Sequence, residues 1–541
     1  MNLEEINMKE QSTTKGFAIL SAAGMIVKIL SLLYIPFLIA IIGSEGYGIY
    51  GSAYQVYAFI YVLTNSGIPV AISKLISELT AVGNYKDAVK SFKIARFLLL
   101  LLGIVMSVIM LIFARGFANL VNPKAYYSIL ALAPCVLFTS IASAYRGYFQ
   151  GRGNMTPTAV SQIIEQTINT IFTLVFAALL IKFGVEAGCA GGTIGSTLGA
   201  LFSVVYLILF YERNKRIKVH RKVHDIEVRR LTNKQIVKKI VSYGVPITLS
   251  VGLTYAGNLV DVWNTRSRLL VAGITSSQAS VLYGYLLKYT QLMNVPIALI
   301  TSLCAAILPA IAGAASLGDK KRVREKVNYA FRLSFIISIP SAFGLAVLSD
   351  PIYKLIGFSG GSNIMRVGSI VLVLMAAMQI QITILQSLGK LYTATLYSFI
   401  GIVFKITANY FLIAIPSINI LGAVYGSIIG YLIPVILNHR MIKKTLRVRF
   451  SLLYHGYKPL ISSLLMSIVV YLIYNNLIYV IGFINKGYIA NAVSTIIAII
   501  AGIFTYLYAL ILTGGITKSD INGLPRKVTR IIPRFMYVRI R

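Results

Sequence analysis

About fourteen apolar segments run along this 541-residue chain, each long enough to cross a bilayer. A spanning helix needs about 20 apolar residues. Hydrocarbon offers no partner to a backbone N–H or C=O, so each crossing must satisfy its own backbone, and a helix does so within one segment. The segments fall near residues 17–42, 48–73, 92–114, 126–149, 157–181, 187–211, 240–262, 281–311, 328–349, 366–388, 393–415, 420–438, 458–480 and 488–512. The pattern predicts an all-α polytopic membrane protein. It also explains a formal net charge of +35, which on a soluble chain would point to nucleic acid. With a mean hydropathy of +0.78 and only 12% of residues charged, the basic residues must lie in connectors, and no nucleic-acid partner is expected.

Those connectors alternate. Residues at the ends of spans count with their neighbouring loops. If the N-terminus is cytoplasmic, 40 of the 51 Lys/Arg then fall inside and 8 outside, while Lys28, Lys288 and Lys405 lie within spans. The positive-inside rule places both termini in the cytoplasm.

Several classes drop out. Cys135, Cys189 and Cys304 sit in apolar segments and read as small core residues, not as a disulfide framework. The N-terminal tail is polar and carries acids, unlike a cleavable signal peptide, so the first span is expected to be the targeting signal. No G-x-x-x-x-G-K-[ST] motif occurs, hence no nucleotide-hydrolysing motor of that type. His220 and His224 share a spacing but sit in a basic loop without a cysteine partner, so no metal site is expected. No convergent Ser/His/Asp set or carboxylate pair suggests an enzyme, and no cofactor is expected.

The chain repeats itself. Ala71-Ile72, Gly83, Lys86 and Ala95 recur as Ala306-Ile307, Gly318, Lys321 and Ala330, all at a shift of 235. Gln150-x-x-Gly153 recurs as Gln386-x-x-Gly389, and Gly195-Ser196-x-x-Gly199 as Gly426-Ser427-x-x-Gly430. Six spans per unit is an even number, so both units keep one orientation, as in transporters with parallel repeats and a substrate cavity at the repeat interface. The organisation expected is an N-lobe over 1–211, a basic cytoplasmic linker over 212–239, a C-lobe over 240–440, two further spans over 441–512 and a basic tail over 513–541.

Two stretches carry a family resemblance. One is Asn65-Ser66-Gly67-Ile68-Pro69-Val70-Ala71-Ile72-Ser73-Lys74. The other is Tyr145-Arg146-Gly147-Tyr148-Phe149-Gln150-Gly151-Arg152-Gly153-Asn154-Met155-Thr156-Pro157. Both resemble the stage V sporulation protein B branch of the polysaccharide-exporter and lipid II flippase families. These belong to the superfamily that also holds the multidrug and toxin extrusion exporters. Six plus six plus two spans is the pattern of lipid II flippases. The resemblance implies a bacterial cytoplasmic-membrane transporter of a polyprenyl-diphosphate-linked saccharide, with lipid II as the leading substrate, working by alternating access. Its partners would be that substrate, membrane lipids and cell-wall synthesis proteins. Relatives often carry a basic residue at the end of span 1, where this chain has Tyr34-Ile35-Pro36.

Charges inside the membrane are the candidate site residues, since an ammonium at bilayer depth costs about 2.5–3.5 kcal/mol on insertion scales and usually faces a cavity. Lys28 lies about 16 Å into span 1, too deep to snorkel easily. Lys288 lies one to two turns below the outer end of span 8, where snorkelling is easier, so it reads either as a cavity charge or as a snorkelling one. In the resembling family, spans 1, 2, 7 and 8 line the cavity, so both lysines are candidates for a diphosphate, with Asn65 and Ser66 of the first motif beside them. Arg266 and Arg268 follow span 7, either as phosphate ligands or as loop charges, and Asp261 can pair with one of them. Arg146 reads either as an interfacial anchor or as a gating residue. Glu165-x-Thr167-x-Asn169 and Lys405-x-Thr407-x-Asn409 occupy matching spans, as coupling groups or as polar contacts that hold helices together. Gly67 and Pro69 predict a bend in span 2. Spans 13 and 14, with Ser462, Ser463, Ser467 and Gly502, are expected either to form a groove for a lipid tail or only to pack against one lobe.

Two other functions compete. A capsule, teichoic-type or O-unit exporter differs only in the glycan. A cation-coupled drug exporter would more naturally carry carboxylates in its cavity than lysines. A scaffold for wall synthesis is a third, weaker fit. The topology is directly testable: cysteines placed at Asn214 and Ser276 in a cysteine-free background should label from opposite faces of the membrane. Labelling of residue 214 from outside intact cells would overturn the orientation.

Overall fold

The computed structural model describes residues 13–214, 230–446, 452–484 and 487–515. His220 and His224, much of the 212–239 linker and most of the 513–541 tail lie outside them. The helices are α1 (Thr13–Asn65), α2 (Gly67–Ala81), α3 (Tyr85–Ile112), α4 (Ala114–Val121), α5 (Tyr126–Gly151), α6 (Thr156–Leu180) and α7 (Val185–Asn214). They continue with α8 (Asn233–Val271), α9 (Ser276–Ser316), α10 (Lys320–Val347), α11 (Ser349–Ile356), α12 (Ser362–Gly368) and α13 (Ile370–Ser387). The last are α14 (Leu391–Leu412), α15 (Leu421–Leu446), α16 (Leu452–Ile484) and α17 (Tyr488–Leu512).

Among the described residues, 13 helical stretches are long and apolar enough to cross a membrane. The first of them, Ile19–Ala81, is 63 residues long. At about 1.5 Å per residue that is roughly 95 Å, three times a hydrocarbon core of about 30 Å. It therefore holds two crossings, divided at Gly43, whose φ of 71° and ψ of 178° break the helix. Spans 1 and 2 are thus both present, and the total is fourteen. This is a multi-pass membrane protein of two six-helix lobes followed by two further helices.

Two boundaries differ from the sequence reading. Span 7 continues as helix to Val271, so Arg266 and Arg268 are helical and not in a connector. Hydropathy marks where a helix leaves lipid, not where its hydrogen bonding ends. The interruption in span 2 sits at Ser66, one turn before Pro69, because proline in the first turn of α2 removes an N–H that needs no helical partner there.

The internal repeat is visible residue by residue. Helices α3 and α4 run over 85–112 and 114–121, and α10 and α11 over 320–347 and 349–356, a constant shift of 235. Gly83 and Gly318 take φ of 74° and 70°, and each ends a helix with the same pair of bonds. Gly83 N donates to Thr80 O and Asn84 N to Leu79 O; Gly318 N donates to Ala315 O and Asp319 N to Ala314 O. Asn84 and Asp319 then cap the next helices, accepting from Asp87 N and Arg322 N. Gly153 and Gly389, at φ of 70° and 72°, repeat the turn.

Packing divides the chain otherwise than the repeat does. Residues up to Ser267 with Ile274–Gly284 form one compact unit, and Arg268–Gly273 with the residues from Tyr285 onward form another. Helix α8 joins the first unit because Gly67 lies against the backbone of Gly244, and Gly67 N donates to Thr248 Oγ1 at 3.2 Å. Each unit buries many Ser, Thr and Asn side chains among its apolar core and leaves further Leu, Ile, Val and Phe exposed along its helices, as lipid contact requires. All three cysteines are free and buried.

In the second unit α16 and α17 pack on α10 and α11. Their core holds Leu348, Met466, Val470, Ala498, Tyr506 and Leu510. Tyr506 Oη donates to Ile336 O at 2.9 Å, Asn491 Nδ2 donates to Pro351 O at 3.1 Å, and Ser462 and Ser463 are fully buried.

The small residues of α7 and α15 set equivalent helix contacts. Gly199 lies against Glu165 and Asn169 of α6, and Gly430 against Lys405 of α14. A Cβ at Gly430 would stand 2.6 Å from Lys405 Cβ. Gly430→Ala should therefore cost on the order of 1–3 kcal/mol, because α14 and α15 must separate. Gly313→Ala, on a helical surface with nothing within 4 Å, should be neutral or stabilising. Thermal unfolding of the purified protein in detergent measures both, and equal losses would refute the close-packing account.

Candidate functional site

In the first unit the structure gathers polar groups that the sequence leaves scattered. The second half of α1 carries Tyr47, Tyr50, Tyr54, Tyr57 and Tyr61 at alternating intervals of three and four, which places them on one helix face. Successive ring centroids are 6.3, 4.6, 5.9 and 5.7 Å apart. The face is turned into the unit. Tyr34 and Tyr50 hydroxyls meet at 3.3 Å, Tyr54 hydrogen-bonds Ser196 of α7, and Cys135 Sγ of α5 approaches Tyr57 Oη at 3.3 Å. Ser196 Oγ in turn donates to Asn169 Oδ1 at 2.9 Å. This ladder was legible in the spacing, but five tyrosines on an apolar helix look like ordinary core until their partners are seen.

The ladder ends at the helix break. Asn65 Nδ2 donates to Tyr61 O at 3.1 Å and Thr64 Oγ1 at 2.6 Å, and its Oδ1 accepts from Ser143 of α5. Ser66 stands between α1 and α2 with near-helical backbone angles, and its N donates to Val62 O at 3.2 Å.

One turn further along α5, Arg146 and Glu165 form an ion pair at 2.6 Å, with side chains only 12% and 28% exposed. Arg146 Nε also donates to Ser161 Oγ at 2.9 Å, and its Nη2 to Ser203 Oγ at 2.8 Å. One guanidinium therefore ties α5 to α6 and α7. Neither sequence reading of Arg146, as anchor or gate, anticipated this buried contact. A charge in low dielectric is tolerable when paired and hydrogen-bonded, and here both conditions hold.

The lysines differ sharply from one another. Lys28 is exposed, midway between Thr13 and the Gly43 break, with exposed Met25, Ile26 and Ile29 around it. Lys288 is 0% exposed in the second unit. Its Nζ donates to Ser359 O at 2.8 Å and lies 5.0 Å from the Tyr285 ring and 5.5 Å from the Phe358 ring. The Gly357–Gly361 turn thus covers an ammonium that the sequence reading would place in open cavity or let snorkel to the interface. Lys405 is half-buried and Asn409 fully buried on α14, where Gly426 and Gly430 of α15 press against them.

The two arginines after Asp261 face different surroundings. Arg266 Nη2 donates to Ser276 Oγ at 2.8 Å, and the Arg268 guanidinium stacks 4.1 Å over the Tyr410 ring. Asp261 is half-buried on α8. The structure therefore brings Arg146 to Glu165 and Asn65 to Ser143, but distributes the lysine and arginine candidates over two units.

Replacing Arg146 with Gln leaves Glu165 half-buried without its ion-pair partner, a loss on the order of 1–3 kcal/mol. Adding Glu165→Gln should restore part of it. Unfolding of the single and double variants in detergent measures this, and strict additivity would show that the pair carries no coupling.

Comparison with known proteins follows the same fold. Residues 13–315, more than half of the chain, match the family model described as polysaccharide biosynthesis protein. Stage V sporulation protein B of Bacillus subtilis (strain 168) is 27% identical over 452 residues, covering 82% of this chain and 86% of that one. Lipid II flippase MurJ of the same organism is 26% identical over 535 residues, covering 94% and 97%. A solved structure of lipid II flippase MurJ, in an inward closed conformation, superposes with a TM-score of 0.67 at 17% identity over 92% of this chain and 98% of that one. With a family match over most of its first two-thirds and relatives aligned along nearly its full length, this chain belongs to the polysaccharide biosynthesis protein family.

Proposed function

We propose that this protein moves a polyprenyl-diphosphate-linked saccharide across the bacterial cytoplasmic membrane by alternating access, with lipid II as its substrate and both termini in the cytoplasm. The relatives named as a lipid II flippase and as a sporulation protein support this reading, since the alignment with the flippase spans 94% of this chain. The observation that carries it is Lys28, an exposed ammonium halfway along the first crossing. Such a charge is costly at that depth unless it meets water and an anion. Glu165, the carboxylate a cationic drug would need, is instead held by Arg146.

A lipid-linked saccharide presents an anionic diphosphate, a polar glycan and a long apolar tail. Lys28 supplies charge for the first, Asn65 and Ser66 at the helix break supply hydrogen bonds, and the tail stays in contact with lipid. Moving about two negative charges outward at 100 mV, inside negative, gains about 4.6 kcal/mol, so the membrane potential alone biases export. Similarity to stage V sporulation protein B favours a second reading with the same chemistry, a wall-precursor glycan specific to sporulation.

Reconstituted vesicles containing lipid II or another polyprenyl-diphosphate saccharide test the proposal. Lys28→Ala should abolish flipping while the protein still reaches the membrane, and Lys28→Arg should retain part of it because the charge remains. Full activity of Lys28→Ala would remove the lysine from the site. Failure of the wild-type protein to move any polyprenyl diphosphate would remove the function.

A further inference from the structure

At one end of the second unit, α10, α16 and the residues just after α17 enclose a cavity of about 470 Å³. Arg332, His455 and Lys458 line it, opposed among the lining residues by one carboxylate, Glu325. Asn328 and two phenols, Tyr329 and Tyr454, complete its polar side chains. The wall is fixed in place. Lys458 Nζ donates to Gly514 O at 2.8 Å, so the chain just past α17 holds the ammonium in the second turn of α16. An ammonium has three N–H groups, and that carbonyl takes one of them. The Arg332 guanidinium lies 5.9 Å from the Tyr329 ring, one turn away on α10.

The surroundings of the cavity are amphipathic. Helix α10 begins with exposed Lys320, Lys321, Arg322, Arg324 and Lys326, a cationic collar at the same end of the unit. From Pro459 onward α16 exposes Leu460, Ile461, Leu464, Leu465 and Ile468, the surface of a helix in contact with hydrocarbon. Cations at a helix end beside an apolar face match a ligand with an anionic head and apolar chains. Basic pockets of this kind between membrane helices bind phosphate headgroups, and guanidinium with ammonium is the donor set that phosphate oxygens take.

We propose that this cavity is a binding site for the phosphate headgroup of an anionic membrane lipid, held by Arg332 and Lys458, with the lipid's chains along the exposed face of α16. It is separate from the transport reading above, since none of its residues belongs to the substrate candidates. Binding there would clamp α16 and α17 to α10 and make the stability of the two extra helices depend on lipid charge.

The test uses the full-length purified protein with phosphatidylglycerol, zwitterionic phosphatidylcholine or inorganic phosphate added, read by thermal unfolding and by retained lipid in native mass spectrometry. Phosphatidylglycerol should raise the melting temperature by several degrees more than phosphatidylcholine does. Arg332→Gln and Lys458→Gln should each weaken its retention about tenfold. Lys320→Gln, outside the cavity, should leave retention unchanged. Should Lys458→Gln fail to fold for want of its bond to Gly514, Arg332→Gln alone decides the matter. Equal effects of the two lipids, or undiminished retention in Arg332→Gln, would overturn the site. A full effect from inorganic phosphate alone would overturn the lipid assignment and leave a free-anion site.

Discussion

Hydrocarbon gives a backbone no partner, and almost everything in this protein follows from that constraint. It makes every crossing a helix, and it moves the problem of stability from burying apolar side chains to packing helices closely and satisfying polar ones. The exposed surface is therefore rich in leucine, isoleucine and phenylalanine, and many serine, threonine and asparagine side chains lie inside. Close approach then depends on small residues. Gly195 and Gly199 of α7 and Gly426 and Gly430 of α15 leave no room for a Cβ against α6 and α14.

The same constraint sorts the intramembrane charges into two classes. Arg146 and Glu165 neutralise each other and join three helices, so they act as structure. Lys288 is likewise engaged, through the Ser359 carbonyl. Lys28 instead is exposed, beside exposed Met25, Ile26 and Ile29. This contrast separates charges that tie elements together within one unit from a charge that reaches the surface of its unit.

The repeat shows how two lobes share one plan and then diverge. Helices α3–α4 and α10–α11 keep their boundaries to the residue, and the turns at Gly83 and Gly318 keep their bonds. Gly199 meets the Glu165 carbonyl and Asn169 Cβ in the first lobe, and Gly430 meets the Gly401 carbonyl and Lys405 Cβ in the second, so Gly401 stands at the place of Glu165 and Lys405 at that of Asn169. The helix contact is preserved, while at these places a carboxylate is present only in the first lobe and an ammonium only in the second. A helix-packing scaffold has thus been kept, and its polar positions have been free to change.

Hydropathy alone determined the number of crossings, and the recurrence of short glycine-containing patterns revealed the repeat, because both are local properties of the chain. The motifs around Asn65 and Arg146 pointed to the family. Tertiary structure decided what each polar residue does. The pairing of Arg146 with Glu165, the covering of Lys288 by the Gly357–Gly361 turn, and the inward face of the tyrosine ladder all depend on partners on other helices or turns, 19, 71 and 142 residues away. Residue spacing tells which side chains share a face of one helix. Only the packed bundle tells which face meets protein and which meets lipid or water, because that is set by the neighbours of the helix and not by its own sequence.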